Sequence, residues 1–178
     1  MKASNWMKRF AAIAGSALVG LIFATGANAA NPEPVPVEVT FVAPITITSV
    51  SSLNFGLVDT AFITPNTITI NPDSTFSDPQ NRIAGGTQAA ASMTITSIGS
   101  TGITIKADNP SNGTYWSLGT FTCKYDTGSD TVCTTGYNVT SPAGGAAPLL
   151  VGAVLTGVAG GAMAGADPGT FDVTVIYQ

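Results

Sequence analysis

The chain has 178 residues, with six basic and ten acidic side chains, two cysteines and no histidine. One domain is the expectation at this length. The lack of histidine excludes every serine–histidine and cysteine–histidine catalytic arrangement. The acidic balance argues against nucleic acid and anionic membranes as partners, because both select basic patches.

The first element reads as an export leader. Lys2, Lys8 and Arg9 precede an apolar run from Phe10 to Phe23, and Ala27-Asn28-Ala29 places small residues where a signal peptidase reads them. A membrane anchor is the competing reading, but the run is short for a span and no charged stop follows it. Residues 1–29 are therefore expected to be a signal peptide, with no stable membrane anchor after cleavage. The remaining 149 residues keep three basic side chains, Arg82, Lys106 and Lys124, against all ten acidic ones, a net charge of −7. A domain of that size buries about two-thirds of its surface and needs no metal to fold.

Residues 30–43 form an N-terminal extension or first strand. Pro32, Pro34 and Pro36 impose extended backbone, and Val35, Val37, Val39 and Phe41 then recur at the two-residue period of a strand with one buried face. From residue 44 onward the pattern is one of short strands. Ile45-Thr46-Ile47-Thr48, Leu53 to Val58 with a bend at Gly56, and Thr67 to Ile70 come first. Asn71 to Gly86 reads mostly as loop. Ser92 to Ile98 and Gly102 to Ala107 read as strands joined by the tight turn Gly99-Ser100-Thr101-Gly102.

Thr114 to Tyr125 and Thr131 to Val139 are expected to pair around a Cys123–Cys133 disulfide, given the oxidising compartment that export implies. Closing that 11-residue loop contributes about 2.8 kcal/mol in the chain-entropy model. Pro142 to Ala147 reads as loop, and Leu149 to Leu155 as a covered apolar strand. Gly157 to Gly169 is glycine-rich. The uncharged run Pro142 to Ala166 has the length of a membrane span, but its glycines and Pro148 favour a covered strand and loop. The last eight residues alternate again through Phe171, Val173, Val175 and Tyr177. No stretch has a capped helical period, so the fold class expected is an all-β sandwich.

No catalytic constellation is found, and the chain is not expected to be an enzyme or to hold a cofactor or metal. Asp126-Thr127-Gly128-Ser129 matches the aspartic-protease string, but it has no second copy and lies in a cysteine-closed turn, where Asp, Gly and Ser are ordinary. Glu33 and Glu38 are the only glutamates, both in the extension, so a glycosidase pair would need two aspartates. Asp126 and Asp130 lack calcium-loop spacing. Asn112-Gly113-Thr114 and Asn138-Val139-Thr140 are glycosylation sequons. Tyr115-Trp116 is the one pair suited to stacking on a sugar ring if exposed.

The two alternating ends resemble secreted pilins of the chaperone–usher type. In that family the terminal strand has a penultimate aromatic, here Tyr177, and a glycine fourteen positions from the end, here Gly165, with Phe171, Val173 and Val175 supplying the alternation. Leu53-Asn54-Phe55-Gly56 and the ending Pro168 to Tyr177 are also similar to spore-coat-U-like secreted domains and to a secreted bacterial domain family with an LNFG signature. Cys123 and Cys133 depart from the pilin pattern, in which the cysteines lie farther apart between early strands.

The resemblance implies an immunoglobulin-like sandwich whose incomplete edge is filled by a donor strand. In that arrangement Val35, Val37, Val39 and Phe41 enter the groove of the next subunit. The chain then forms a homopolymer or joins sister subunits, served by a periplasmic chaperone and an outer-membrane usher, and ends at the cell surface. Strand addition to an open edge is an established recognition mode, and burying four such side chains contributes about 6–12 kcal/mol, at about 1.5–3 kcal/mol each. Two alternatives stay open here: residues 35–41 as the domain's own first strand, and a self-complete module binding glycan near Tyr115 and Trp116.

Overall fold

The computed structural model describes residues 42–160 and 164–178 and, ahead of them, positions 36 and 38. Within these residues the chain is all-β. Twelve strands are described: β1 (Thr46–Ser51), β2 (Leu57–Val58), β3 (Thr67–Ile70), β4 (Phe76–Ser77), β5 (Ile83–Gly85), β6 (Ala91–Thr96), β7 (Gly102–Ser111), β8 (Trp116–Tyr125), β9 (Thr131–Val132), β10 (Tyr137–Thr140), β11 (Ala146–Gly157) and β12 (Thr170–Tyr177). No helix among the described residues is long and apolar enough to cross a membrane.

The larger sheet is organised by β11. One edge of this strand pairs with β8, from Leu149 opposite Tyr125 to Gly157 opposite Trp116. The other edge pairs first with β6, through Ala146–Val151, and then with β3, through Ala153–Thr156. β1 extends the sheet beyond β6, β4 extends it beyond β3, and β9 lies beyond β8. The second sheet has the order β10-β7-β12. All these pairings are antiparallel.

Alternation builds the core. Ile95, Leu149, Val151, Phe121 and Cys123 from the larger sheet meet Ile103, Ile105 and Ala107 from the smaller one, and each is at most 1% exposed. Phe121 of β8 stacks on Phe171 of β12 across the two sheets, with ring centroids 4.9 Å apart. A second cluster, Phe62, Ile68 and Leu155, forms where β3 and the end of β11 meet the chain after β2.

Several expectations are corrected in detail. β6 and β7 flank the Gly99–Gly102 turn but belong to opposite sheets, so that turn crosses the sandwich and does not close a hairpin. The buried Ser141 side chain fastens it, accepting from the Thr101 N–H and donating to the Ile98 carbonyl. The stretch 71–86 carries two short strands, β4 and β5, where loop was expected. The segment Leu53–Val58 reduces to a bridge between Asn54 and Ala89 and the two residues of β2, with Gly56 at φ +81° before them. β11 begins at Ala146, inside the expected loop. Thr131–Val139 splits, since β9 pairs with β8 whereas β10 pairs with β7 in the other sheet.

Cys123 and Cys133 form the expected disulfide, and both are fully buried. Cys133 sits where the chain leaves one sheet for the other. Its N–H donates to Phe121 and its carbonyl accepts from Ala107, so one residue is tied to both layers. The Asp126–Ser129 string is the β8–β9 turn, closed by a bond from the Gly128 N–H to the Tyr125 carbonyl.

Glycine on β11 answers a steric demand. A Cβ at Gly152 would lie 2.1 Å from the Ile70 carbonyl oxygen and 2.8 Å from the Asn71 carbonyl carbon, because the chain leaving β3 passes directly over it. Overpacking against backbone costs about 1–3 kcal/mol or more. Gly152→Ala is therefore expected to lower the urea midpoint by a corresponding amount with an unchanged slope, whereas Gly144→Ala, whose Cβ meets nothing within 4 Å, leaves it in place.

Candidate functional site

On one side of the sandwich both sheets end in strands that pair on one edge only. Among the described residues, β1 pairs with β6 alone and β12 with β7 alone. The sequence of β12 places Phe171, Val173, Val175 and Tyr177 on its inner face, and each packs against the core yet remains half-buried. Their neighbours on β7, Ile103, Ile105 and Ala107, are completely covered. The difference is positional, because β7 has a strand on either side and β12 has one. Ile47 of β1, opposite the fully buried Ile95, is 40% exposed for the same reason.

Between these edges lies a cavity of about 1260 Å³. Ile47, Ala91 and Met93 form its wall on the larger sheet, and Phe171 and Val173 form the facing wall. Toward the Phe171 end it widens onto Leu53, Phe55, Trp116, Leu118 and Leu155, so the groove opens onto the second apolar cluster. The loops 51–60 and 164–170 rim this wide end. The lining is mainly apolar, with polar groups such as Asn54, Asp59 and Asp167 at its margin. Pockets lined in this way, apolar with a few polar groups, are the common form of binding sites.

Beyond this cavity, at the far end of β12, lies a three-way contact. The Tyr177 hydroxyl donates to the Ala43 carbonyl at 2.9 Å and accepts from the Ile98 N–H at 3.0 Å. One side chain thus joins the segment entering β1, the crossing turn and the end of β12. Val42 and Ile176 beside it are each 56% exposed, and residues 42–45 line a shallow recess against Val175–Tyr177.

The wide end is held by Asp167. Its carboxylate accepts from the Thr114 N–H at 2.9 Å and the Tyr115 N–H at 3.3 Å, and its backbone carbonyl accepts from Trp116 Nε1 at 3.1 Å. The Trp116 ring is half-buried and lies so close over Gly113 and Gly169 that neither position has room for a Cβ. The ring is a wall of the groove, not the freely exposed sugar platform considered from sequence.

The other sequence candidates fall as follows. Phe171, Val173, Val175 and Tyr177 share one face and line the two recesses along β12. Gly165 stands before β12, in the rim loop at φ +141°, and is not part of the strand. Val35, Val37, Val39 and Phe41 lie outside the described residues, apart from being bracketed by the exposed positions 36, 38 and 42. Asp126 and Asp130 belong to the exposed β8–β9 turn, and no group of three metal-ligating side chains occurs among the described residues. Sequence reasoning missed Leu53, Phe55, Met93 and Asp167 as groove residues. An Asp three residues before a terminal strand carries no signal of the backbone groups it will meet some fifty positions earlier.

Compared with protein-family models, curated proteins and solved structures, the chain matches none.

Tyr177→Phe removes one donor and one acceptor from the three-way contact at the end of β12. With a hydrogen bond worth about 0.5–1.5 kcal/mol net, and more where a partner stays buried, a loss of about 1–3 kcal/mol is expected. Hydrogen exchange should show it locally, as faster exchange at Ile98 than at Ile105 on the neighbouring strand.

Proposed function

We propose that the mature chain is a non-catalytic structural subunit of an extracellular fibre or surface coat, exported through its leader and assembled by donor-strand exchange. In this reading Val35, Val37, Val39 and Phe41 of one copy enter the groove of the next, with a periplasmic chaperone and an outer-membrane usher as the partners in transit. One observation carries it: the inner row Phe171, Val173, Val175 and Tyr177 is half-uncovered along a strand edge that has no partner among the described residues.

The match between row and segment supports it further. Four apolar side chains recur at two-residue period on β12, beside an edge with no partner among the described residues, and the sequence of residues 35–41 carries four apolar side chains at the same period. From the first to the seventh residue of a strand is six rises of about 3.3 Å, or about 20 Å, which is also the length from Phe171 to Tyr177. An unpaired edge beside an apolar groove is a hazard unless something occupies it. A dedicated donor satisfies the backbone groups and the side-chain row together. The buried disulfide and the sparse, mostly acidic charge suit a protein working outside the cell.

The test uses the mature protein and a form lacking residues 30–41. The shortened form is expected to bind a peptide of residues 33–43, and the full mature chain to form oligomers that the peptide competes away. Since a buried valine contributes about 1.5–3 kcal/mol, Val37→Asp in the peptide should weaken binding about tenfold or more. A full-length protein that stays a stable monomer and ignores the peptide would overturn the reading and favour a self-complete domain.

A further inference from the structure

We propose that Asn112-Gly113, in the turn between β7 and β8, is a site of spontaneous covalent modification: its asparagine closes to a succinimide and opens to aspartate or isoaspartate. Of the ten asparagines in the chain, Asn112 alone is followed by glycine. The reaction needs the backbone nitrogen of the next residue to reach the side-chain carbonyl carbon, and any side chain on that residue obstructs the approach. Asn112 is exposed and outside the strands, where the backbone is not held in extended form by a ladder.

The folded surroundings suit the chemistry. Asn112 Oδ1 accepts from the Leu118 N–H at 2.8 Å, which fixes the side chain, draws electron density from its carbonyl carbon and leaves Nδ2 as the departing group. Among the described residues the Gly113 N–H has no hydrogen-bond partner. A carboxylate stands beside it, since a Cβ built on Gly113 would lie 2.6 Å from Asp167 Oδ2. The same construction puts that Cβ 2.3 Å from Trp116 Nε1. Glycine is thus demanded by the packing of the tryptophan, and the fold retains the labile pair as a condition of building the wide end of the groove.

The steps balance without any oxidant or cofactor. The Gly113 nitrogen bonds to Asn112 Cγ and gives up its proton, and the Cγ–Nδ2 bond breaks. Ammonia leaves carrying that proton equivalent. Water then adds to one of the two imide carbonyls and the ring opens. One opening gives aspartate on the original backbone. The other routes the main chain through the former side chain and lengthens it by one methylene. Both add a negative charge near Asp167, and the longer product moves Gly113 from beneath Trp116, which is a wall of the groove.

The experiment incubates the folded mature protein in mildly alkaline buffer. Released ammonia is measured, asparagines are mapped by peptide mass spectrometry, and isoaspartate is read by enzymatic methyl transfer. The expected result is one ammonia per chain, a gain of one mass unit at Asn112 ahead of every other asparagine, and a parallel change in tryptophan emission. That emission reports Trp116 alone, since the only other tryptophan, Trp6, lies in the leader. Asn112→Gln should stay folded and give none of these signals over the same period. Conversion at Asn112 no faster than at Asn81 or Asn138, or only after unfolding in urea, would overturn the proposal.

Discussion

The fold depends on β11 having three partners. A strand usually divides its backbone groups between two neighbours, but β11 is long enough to give one edge to β8 and to share the other between β6 and β3. That sharing is possible only because Gly152 lets the chain leaving β3 cross at the junction. A bulge on β8 opposite, with Thr120 at φ +46°, absorbs the resulting shift in register between Gly152 and Val154. The sheet consequently carries two apolar clusters in series, and the groove is the place where the first opens onto the second.

The faces of the strands were legible in the sequence, and their partners were not. Thr67–Ile70, Ala91–Thr96 and Thr170–Tyr177 appear where a two-residue period places them, because alternation is a local record of which side is covered. The same record is silent on which sheet a strand joins. β6 and β7 alternate alike and are joined by a short glycine-containing turn, yet they lie in different layers. The crossing turn between them is fastened by the bond from the Ser141 hydroxyl to the Ile98 carbonyl, reaching across 43 positions. β4 and β5 are too short to show a period at all.

The candidate site divides the same way. The row on β12 was legible from its alternation alone. The rest of the groove was not, because Leu53, Phe55 and Trp116 are residue types that serve equally in a core, a rim or an exposed platform. What fixes Trp116 is a carbonyl 51 residues later and two glycines with no room to spare. Those are tertiary facts with no local signature. The alternation of positions 35, 37, 39 and 41 is legible as a strand pattern, and it carries no local record of whether the strand belongs to its own domain or to a neighbour's.

The contact made by the Tyr177 hydroxyl has a mechanical meaning. A tension applied to the chain ahead of Ala43 does not load β1 alone, because part of it passes through that hydroxyl into the end of β12, and so into the other sheet through the β7 ladder. A second part reaches the crossing turn at Ile98. The load is therefore split between the two layers at its point of entry, before any ladder bond at the β1 edge has to carry it whole. A single phenolic oxygen is thus one point at which both layers share a pull arriving from the N-terminal side.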